Sequence, residues 1–258
     1  MSPSKQEVLV IYGGRSTEHE ISCRSAAFVL RNLNPEKYAI RAIAIDKSGR
    51  WLPQQVPQLL QAMKGQKVVP ILPPIASEMV PGSFAGPSAP ILGDASRQGV
   101  GSDSKKPVVV FPILHGTFGE DGTMQGLLEM AEVGFVGPDT LGSAIGMDKV
   151  VSKRLAQAAG VPVVPWIDVR KQHWSEVGHK ICEEAERTLG FPMFVKPARL
   201  GSSVGVSKVT SMAALKNACE EALKFDDKIM IEKGLTVREI EIAALGDYDP
   251  AVSIPGEV

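Results

Sequence analysis

A lysine interrupts an apolar run in the sequence FVKPARLGSSVGVSKV, which spans residues 194–209. A lysine on a half-buried strand loses hydration, so Lys196 needs an anionic partner, either a protein carboxylate or a bound phosphate. The turn Gly201-Ser202-Ser203-Val204-Gly205 follows at once, and its backbone N–H groups and hydroxyls can surround phosphate oxygens. The pattern favours a nucleotide phosphate, with a surface lysine beside an ordinary glycine hairpin as the alternative.

This phosphate loop differs from the common nucleotide-binding motifs. The sequence has no GxxxxGK[ST], and no GxGxxG follows the first predicted strand. A loop between two antiparallel strands would instead act as a flap that closes over ATP and excludes water. Lys149, in GMDKVVSKRL, is a second candidate cation for the phosphates, and a solvated surface lysine is its alternative interpretation.

The segment MIEKGLTVREIEI offers groups that suit the rest of a nucleotide. A predicted strand ends at Glu232, Lys233, Gly234 and Leu235, where backbone groups can bind the edge of adenine. Glu239 follows on the next strand and can accept hydrogen bonds from ribose hydroxyls. The alternative is a polar face of an ordinary strand.

Two further segments, GGRSTEHEIS and LHGTFGEDGTMQG, carry acidic groups and an imidazole. Each follows a predicted strand, so Glu18 and His115 should lie at one sheet edge, with Glu120 and Asp121 in the loop beyond. Such groups suit a substrate that bears an ammonium group. Glu18 alone could equally be a helix-dipole partner.

Composition narrows the classes of function. The 258 residues carry a formal net charge of −1 without a run of like charges, which predicts no nucleic-acid or membrane partner. No apolar stretch resembles a signal peptide or a membrane span, so we expect a cytoplasmic protein. The three cysteines are widely spaced, which favours reduced, packed thiols.

The order of elements predicts an α/β unit followed by an α+β unit. EVLVIYGG, a helix capped by Ser16 or Thr17, and YAIRAIAID form a parallel βαβ pattern. Residues 53–106 are rich in proline, glycine and serine without a sustained helical period, so we interpret them as an insertion. A helical stretch over residues 143–159 precedes the second unit, in which residues 194–209 form a hairpin.

The motifs together resemble one family. GGRSTEHEIS, PILHGTFGEDGTMQGLLE, GMDKVVSKRLAQAAGVPVVP, FVKPARLGSSVGVSKV and IEKGLTVREIEIA occur in the order typical of D-alanine:D-alanine ligases of the ATP-grasp superfamily. The resemblance covers nearly the whole chain except residues 53–106. It implies an ATP-grasp fold, with an N-terminal α/β substrate domain over residues 1–148. A central subdomain with the phosphate flap would span residues 149–236, and residues 237–258 would form the start of a C-terminal subdomain.

The resemblance also implies a reaction and roles for the residues. ATP would phosphorylate one D-alanine, and a second D-alanine would attack the acyl phosphate to give D-alanyl-D-alanine for peptidoglycan. By motif position, Glu18, Ser202 and His115 would bind the first D-alanine, with Glu18 and Ser202 as its catalytic network. The ATP ligands would be Lys149, Lys196, Ser203, Glu232, Lys233, Leu235 and Glu239.

The family's third portion, which would carry its Mg²⁺ or Mn²⁺ ligands, has no counterpart in these 258 residues. We therefore assign no metal ligand here and expect this chain alone to be inactive. A D-alanine:D-lactate ligase and a non-catalytic nucleotide-binding module stay open as alternatives. The resemblance further implies a homodimer with only small-molecule substrates.

Overall fold

The computed structural model describes residues 5–72 and 107–258, which fall into two compact units. The first unit comprises Met1–Val163 and Pro197–Val204, and the second comprises Val164–Lys196 and Gly205–Val258. The predicted mixture of α/β and α+β architecture is confirmed. The predicted division at residues 148 and 236 stays a prediction.

The first unit contains a five-stranded sheet in the order β3-β2-β1-β4-β5. Parallel pairing joins β1 to β2 and β4, and β4 to β5, whereas β3 is an antiparallel edge strand beside β2. The near-continuous apolar runs of β1 and β4 suit strands that are covered on both faces. The strands are β1 (Gln6–Gly13), β2 (Tyr38–Ile45), β3 (Trp51–Gln54), β4 (Val109–Leu114) and β5 (Gly134–Phe135).

Helices cover this sheet and supply its two apolar clusters. On one face, Ala26 and Leu30 of α1 pack with Leu59 of α2 against Val10 and other strand residues. The other cluster includes Met124 and Leu128 of α3. The helices of this unit are α1 (His19–Asn32), α2 (Val56–Ala62), α3 (Thr123–Met130), α4 (Thr140–Met147) and α5 (Lys149–Ala158).

Three expectations for the first unit need correction. Residues 53–72 are part of the core rather than of an insertion, because they complete β3, form α2 and bury Leu59, Met63 and Val69. The remainder, residues 73–106, lies outside the described residues. Glu18, not Ser16 or Thr17, is the N-cap of α1. The helix predicted over 143–159 is two helices, because Asp148 ends α4 in an extended conformation and caps α5.

The second unit places two helices against a four-stranded sheet in the order β6-β9-β7-β8. The β7–β8 pair is antiparallel, which confirms the predicted hairpin around the glycine-serine turn. Leu189, Leu215 and Ile229 belong to its single apolar cluster. The elements are β6 (Trp166–Arg170), α6 (Lys171–Leu189), β7 (Met193–Pro197), β8 (Ser207–Val209), α7 (Met212–Ala222) and β9 (Lys228–Lys233).

Four two-residue strands follow β9 in the same unit. Their backbones pair as two antiparallel ladders, while their residues are exposed. Arg238 links the start of this segment to its end by an ion pair with Glu257 at 2.7 Å. These strands are β10 (Ile240–Glu241), β11 (Ala244–Leu245), β12 (Ala251–Val252) and β13 (Gly256–Glu257).

The three cysteines are buried and free, as the sequence predicted. Burial raises the pKa of the Cys23 thiol to about 11 and also raises the pKa values of Cys182 and Cys219. These thiols therefore act as packing groups and not as nucleophiles. Across residues 5–72 and 107–258, the helices are too short or too polar to cross a bilayer.

Candidate functional site

The loops after β1 and β4 leave the sheet side by side. The register of these parallel strands pairs Gly13 with Leu114, so the residues that follow them meet at one edge. There the Ser16 hydroxyl donates to the backbone oxygen of His115 at 2.6 Å. The arrangement confirms the expectation that the two predicted strand ends bring their polar groups together.

A glycine is required where β1 turns into α1. Gly13 has a φ of +91°, and a Cβ atom there would lie 2.2 Å from the backbone oxygen of Ile45. The Gly13 N–H donates to the Ser22 hydroxyl at 2.7 Å, and that hydroxyl donates to the backbone oxygen of Ile113. The turn is thus fixed by α1 on one side and by β4 on the other.

Glu18 lies at the start of α1 and is only 9% exposed. Its Oε1 accepts a hydrogen bond from the Ser202 hydroxyl, which comes from the glycine-serine turn. Gly116 and Gly201 make room for the carboxylate, since a Cβ at Gly116 would lie 2.3 Å from Oε2 and one at Gly201 would lie 3.1 Å from both oxygens. The structure therefore brings Glu18 and Ser202, predicted from separate motifs, into direct contact.

His115 is held through both ring nitrogens. Nδ1 lies 3.5 Å from Oε1 of Glu120, and Nε2 lies 2.9 Å from the Ser25 hydroxyl. The hydrogen bond with Glu120 raises the pKa of His115 above its ordinary value, against the opposing effect of burial, and lowers the pKa of Glu120. Glu120 is itself fixed, because its Oε2 accepts from the Gly116 N–H at 2.8 Å.

Asp121 has a local structural role. Its carboxylate accepts from the backbone N–H groups of Phe118 at 2.9 Å and Thr123 at 3.0 Å. Phe118 has a φ of +66°, a conformation that most residues avoid, and the bond to Asp121 helps to hold it there. Asp121 therefore shapes the loop, whereas His115 and Glu120 form a titratable pair.

A cavity of about 360 Å³ lies beside His115. The guanidinium of Arg15 stands 5.6 Å from the centre of the Phe118 ring at this cavity, a cation–π distance. The remaining wall is largely apolar and includes Ile45, Trp51, Leu114, Met124 and Leu127. An apolar part of a ligand suits such a lining.

Lys149 reaches the glycine-serine turn within the first unit. Its backbone N–H donates to the oxygen of Ala198 at 3.0 Å, and its side-chain Nζ donates to the oxygen of Leu200. Ser202 and Ser203 have φ values of +46° and +59°, so the turn exposes consecutive backbone groups. Ser203 is exposed at the tip of this turn.

In the second unit Lys196 has a protein carboxylate as its partner. Lys196 on β7 and Glu232 on β9 form an ion pair of 2.6 Å, and their side chains are 20% and 14% exposed. The backbone N–H of Lys233 donates to the oxygen of Pro165 at 3.0 Å, which joins this strand end to the start of the unit. Glu232 is thus one anionic partner of Lys196, and the binding of a phosphate by this lysine stays a prediction.

The other predicted nucleotide ligands of the second unit lie at its surface. Leu235 is 49% exposed, and Glu239 is exposed as well. Both belong to the exposed segment after β9, whereas the side chains of Lys196 and Glu232 are mostly buried.

Sequence reasoning missed Ser25, although a signal for it exists. Ser25 follows Glu18 by seven residues, which is two helical turns, so both face the same side of α1. Within residues 5–72 and 107–258, no group of three or more His, Cys, Asp or Glu side chains could hold a metal ion. Nothing described here therefore fits a divalent metal.

Two family models match this chain. One, described as the D-ala D-ala ligase N-terminus, covers residues 7–138, and the other, the D-ala D-ala ligase C-terminus, covers residues 155–258. A curated D-alanine–D-alanine ligase from Enterococcus gallinarum is 38% identical over 98% of this chain and 74% of its own length. One from Pseudarthrobacter chlorophenolicus is 42% identical over 98% of this chain and 66% of its own.

Solved structures agree with these matches. The D-alanine-D-alanine ligase from Coxiella burnetii has a TM-score of 0.76 and 34% identity, and it covers 98% of this chain and 71% of its own. The VanG D-Ala:D-Ser ligase from Enterococcus faecalis has a TM-score of 0.75 and 32% identity, with 98% and 70% covered. This chain therefore spans between about two thirds and three quarters of the relatives described here.

Proposed function

This chain belongs to the D-alanine–D-alanine ligase family, and we propose that it binds the first D-alanine and ATP for the synthesis of D-alanyl-D-alanine. The observation that carries the proposal is the hydrogen bond between Ser202 and Glu18, which unites two motifs 184 residues apart. A buried carboxylate at a sheet edge needs a cationic partner, and the ammonium group of an amino acid supplies one.

The proposed reaction forms one amide bond in two steps. A carboxylate oxygen of the first D-alanine attacks the γ-phosphorus of ATP, and ADP leaves. The amine of the second D-alanine then attacks the resulting acyl phosphate, and inorganic phosphate leaves as the amine loses a proton. Positioning of the reactants and stabilisation of charge supply most of the rate in such phosphoryl transfers. The dipeptide is a peptidoglycan precursor, which would place the reaction in cell-wall synthesis.

Within the first unit, Glu18 would hold the ammonium of the first D-alanine. Its carboxylate has acceptor capacity beyond the one bond from Ser202, which keeps the side chain oriented. His115 would lie toward the carboxylate end of the same zwitterion, since its raised pKa favours a positive charge. The apolar cavity beside it would take the methyl group.

We propose ATP-binding roles residue by residue. In the first unit, Lys149 and the turn with Ser203 would bind phosphate oxygens, as supported by the donation from Lys149 to Leu200. In the second unit, Lys196 would likewise bind phosphate and exchange part of its interaction with Glu232. The strand end at Glu232, Lys233 and Leu235 would bind adenine, with Glu239 on the ribose.

The family's reaction implies a divalent metal such as Mg²⁺ or Mn²⁺ with the nucleotide. The described residues do not fit a metal site, because they provide no cluster of three ligating side chains. We therefore propose that these 258 residues alone do not catalyse the ligation.

The second substrate is the finer question within the family. One matching structure is named a D-Ala:D-Ser ligase, so relatives with this fold differ in the nucleophile that they use. D-Lactate in place of the second D-alanine and a chain that only binds nucleotide are the alternatives. With D-lactate added in a parallel reaction, the mass of the product separates the two ligases, and the absence of product identifies a chain that only binds nucleotide.

The test is ADP release in the presence of ATP, Mg²⁺ and D-alanine. It is run on the 258-residue chain and on this chain extended with the part of the Enterococcus gallinarum relative that the match does not cover. We expect the dipeptide mass from the extended chain alone. Turnover by the 258 residues would contradict the proposed inactivity. Nucleotide binding without any product from an extended chain that folds would favour the non-catalytic alternative.

A further inference from the structure

We propose that Ser25 is a positioning residue for the first amino acid: with Glu120 it holds both ring nitrogens of His115, so this imidazole meets the substrate without offering a free N–H. The inference rests on the proposed function, because it assigns the role of His115 within that same site. Ser25 touches no substrate in this account and acts through His115.

The contacts define a chain of three side chains within the first unit. The Ser25 hydroxyl lies 2.9 Å from Nε2, and Oε1 of Glu120 lies 3.5 Å from Nδ1. Both ends are anchored, since Ser25 sits on α1 and Glu120 accepts from the Gly116 N–H at 2.8 Å. The ring therefore has one orientation in which both nitrogens have partners.

A serine is well suited to this position because a hydroxyl both donates and accepts. When His115 is neutral, Nδ1–H faces Glu120 and the Ser25 O–H donates to Nε2. When His115 is protonated, Nε2–H donates to the Ser25 oxygen instead. The ring thereby keeps its orientation in both charge states, and in each state Glu120 and Ser25 engage its N–H groups.

The charged surroundings favour the protonated ring. Glu120 makes the largest contribution to the raised pKa of His115, and Glu18 at the start of α1 adds to it. Arg15 on the turn after β1 is the positively charged group that lines the same cavity. An imidazolium that cannot donate to the ligand can still attract a carboxylate by charge.

The choice of partner by Ser25 also argues for a role beyond the helix. A serine inside a helix commonly bonds to the carbonyl one turn earlier. Ser25 instead contacts His115, 90 residues away in the sequence, at the edge where the substrate groups converge. The serine thus connects α1 to the site and not to its own backbone.

The test is a pH titration of ¹⁵N-labelled 258-residue protein by nuclear magnetic resonance, with and without D-alanine. The sequence has four histidines, so His115→Gln assigns the His115 signals by difference. In the parent protein we expect the Nδ1–H tautomer. Ser25→Ala should lower the pKa of His115. The variant removes the hydrogen bond to the ring in both charge states, and the bond to the protonated ring is the stronger one because it is charge-assisted. It should also raise the Kd for D-alanine roughly 3- to 10-fold.

Ser25→Thr, which keeps the hydroxyl, should restore the pKa, the tautomer and the Kd, and it guards against a variant that merely unfolds. Ser175→Ala is the matched control, since Ser175 lies exposed on α6 and donates only to a helix carbonyl at 2.7 Å. An unchanged pKa and tautomer in Ser25→Ala would overturn the proposed bond. A changed pKa with an unchanged Kd would overturn the positioning role.

Failure of the proposed function gives a different result. In that case D-alanine would not shift the His115 signals of the parent protein at any concentration, and Glu18→Gln would not change this lack of response. If D-alanine shifts the parent signals and Ser25→Ala responds identically, the substrate site stands and only the role of Ser25 is wrong.

Discussion

The Nζ atom of Lys196 lies 2.6 Å from Oε2 of Glu232 across neighbouring strands of the second unit. Each of these groups would be costly to bury alone, and each neutralises the other. Because the lysine is one-fifth exposed, a ligand phosphate can approach it without dismantling the sheet. The pair therefore stabilises the two strands, and the proposed binding of a phosphate by Lys196 would have to compete with it.

Lys196→Met should destabilise the second unit by about 1–3 kcal/mol, since it leaves the Glu232 carboxylate without its lysine in a mostly buried position. Urea unfolding measures this change. The double variant Lys196→Met/Glu232→Gln should cost less than the sum of the single changes. Lys208→Met is the control, because Lys208 is exposed on β8 and, like Lys196, lies near the Phe194 ring. Additive effects would show that the two groups are not coupled.

Glu18→Gln should weaken D-alanine binding far more than ATP binding, because the amide cannot neutralise an ammonium group. We expect the Kd for D-alanine to rise at least about 10-fold, as for the loss of one charge-assisted bond. Isothermal titration with each ligand gives both constants. Glu20→Gln is the matched control, since Glu20 is an exposed residue of the same helix paired to Lys47 at 2.7 Å. Equal losses for both ligands would indicate that Glu18 has only a structural role through its bond with Ser202.

Much of the fold could be predicted because the strands and helices carry strong local patterns. The run from Gln6 to Gly13 and the run from Tyr38 to Ile45 are apolar enough to define buried parallel strands. The failures came where tertiary packing overrides composition. The proline-rich start of the 53–106 segment forms an edge strand and a helix because Leu59 and Met63 fill the core against α1.

The candidate site could be predicted where a motif identifies a residue. It could not be predicted where a residue is recognised only by its contacts in the folded structure. Glu18, His115 and Ser202 stand out beside glycines that allow close approach, such as Gly116. Ser25 does not, because its partner is 90 residues distant and its sequence neighbours are ordinary helix residues. The Glu232 partner of Lys196 was likewise hidden, since strand register is set by the whole sheet.

Gly13→Ala should be far more destabilising than Gly65→Ala. Both glycines have a positive φ, at +91° and +76°, so both variants bear backbone strain of about 1–2 kcal/mol. Only at Gly13 would the new Cβ meet an atom, at 2.2 Å from the backbone oxygen of Ile45, whereas the space around Gly65 is open. Thermal unfolding of the two variants isolates the cost of the close approach. Equal losses would mean that strand β2 moves freely away from the turn.

The stability contributed by the His115–Glu120 pair should depend on pH in a defined window. The pKa of His115 is raised from 6.5, so its contribution is full below that value and is lost as pH rises through the folded pKa. The pKa of Glu120 is lowered from 4.5, so its contribution is full above that value and is lost as pH falls through the folded pKa.

The two conditions overlap between pH 4.5 and 6.5, where the pair is charged in the folded protein. Urea unfolding of the parent protein and of Glu120→Gln should therefore differ most in that window, by about 1 kcal/mol or less, because water partly screens the pair. Ser25→Ala in the same series should not change the loss of stability at acidic pH, because Ser25 does not contact Glu120. A difference that stays constant as the pH rises from 6.5 to 9 would show that Glu120 acts through its bond to the Gly116 N–H and not through His115.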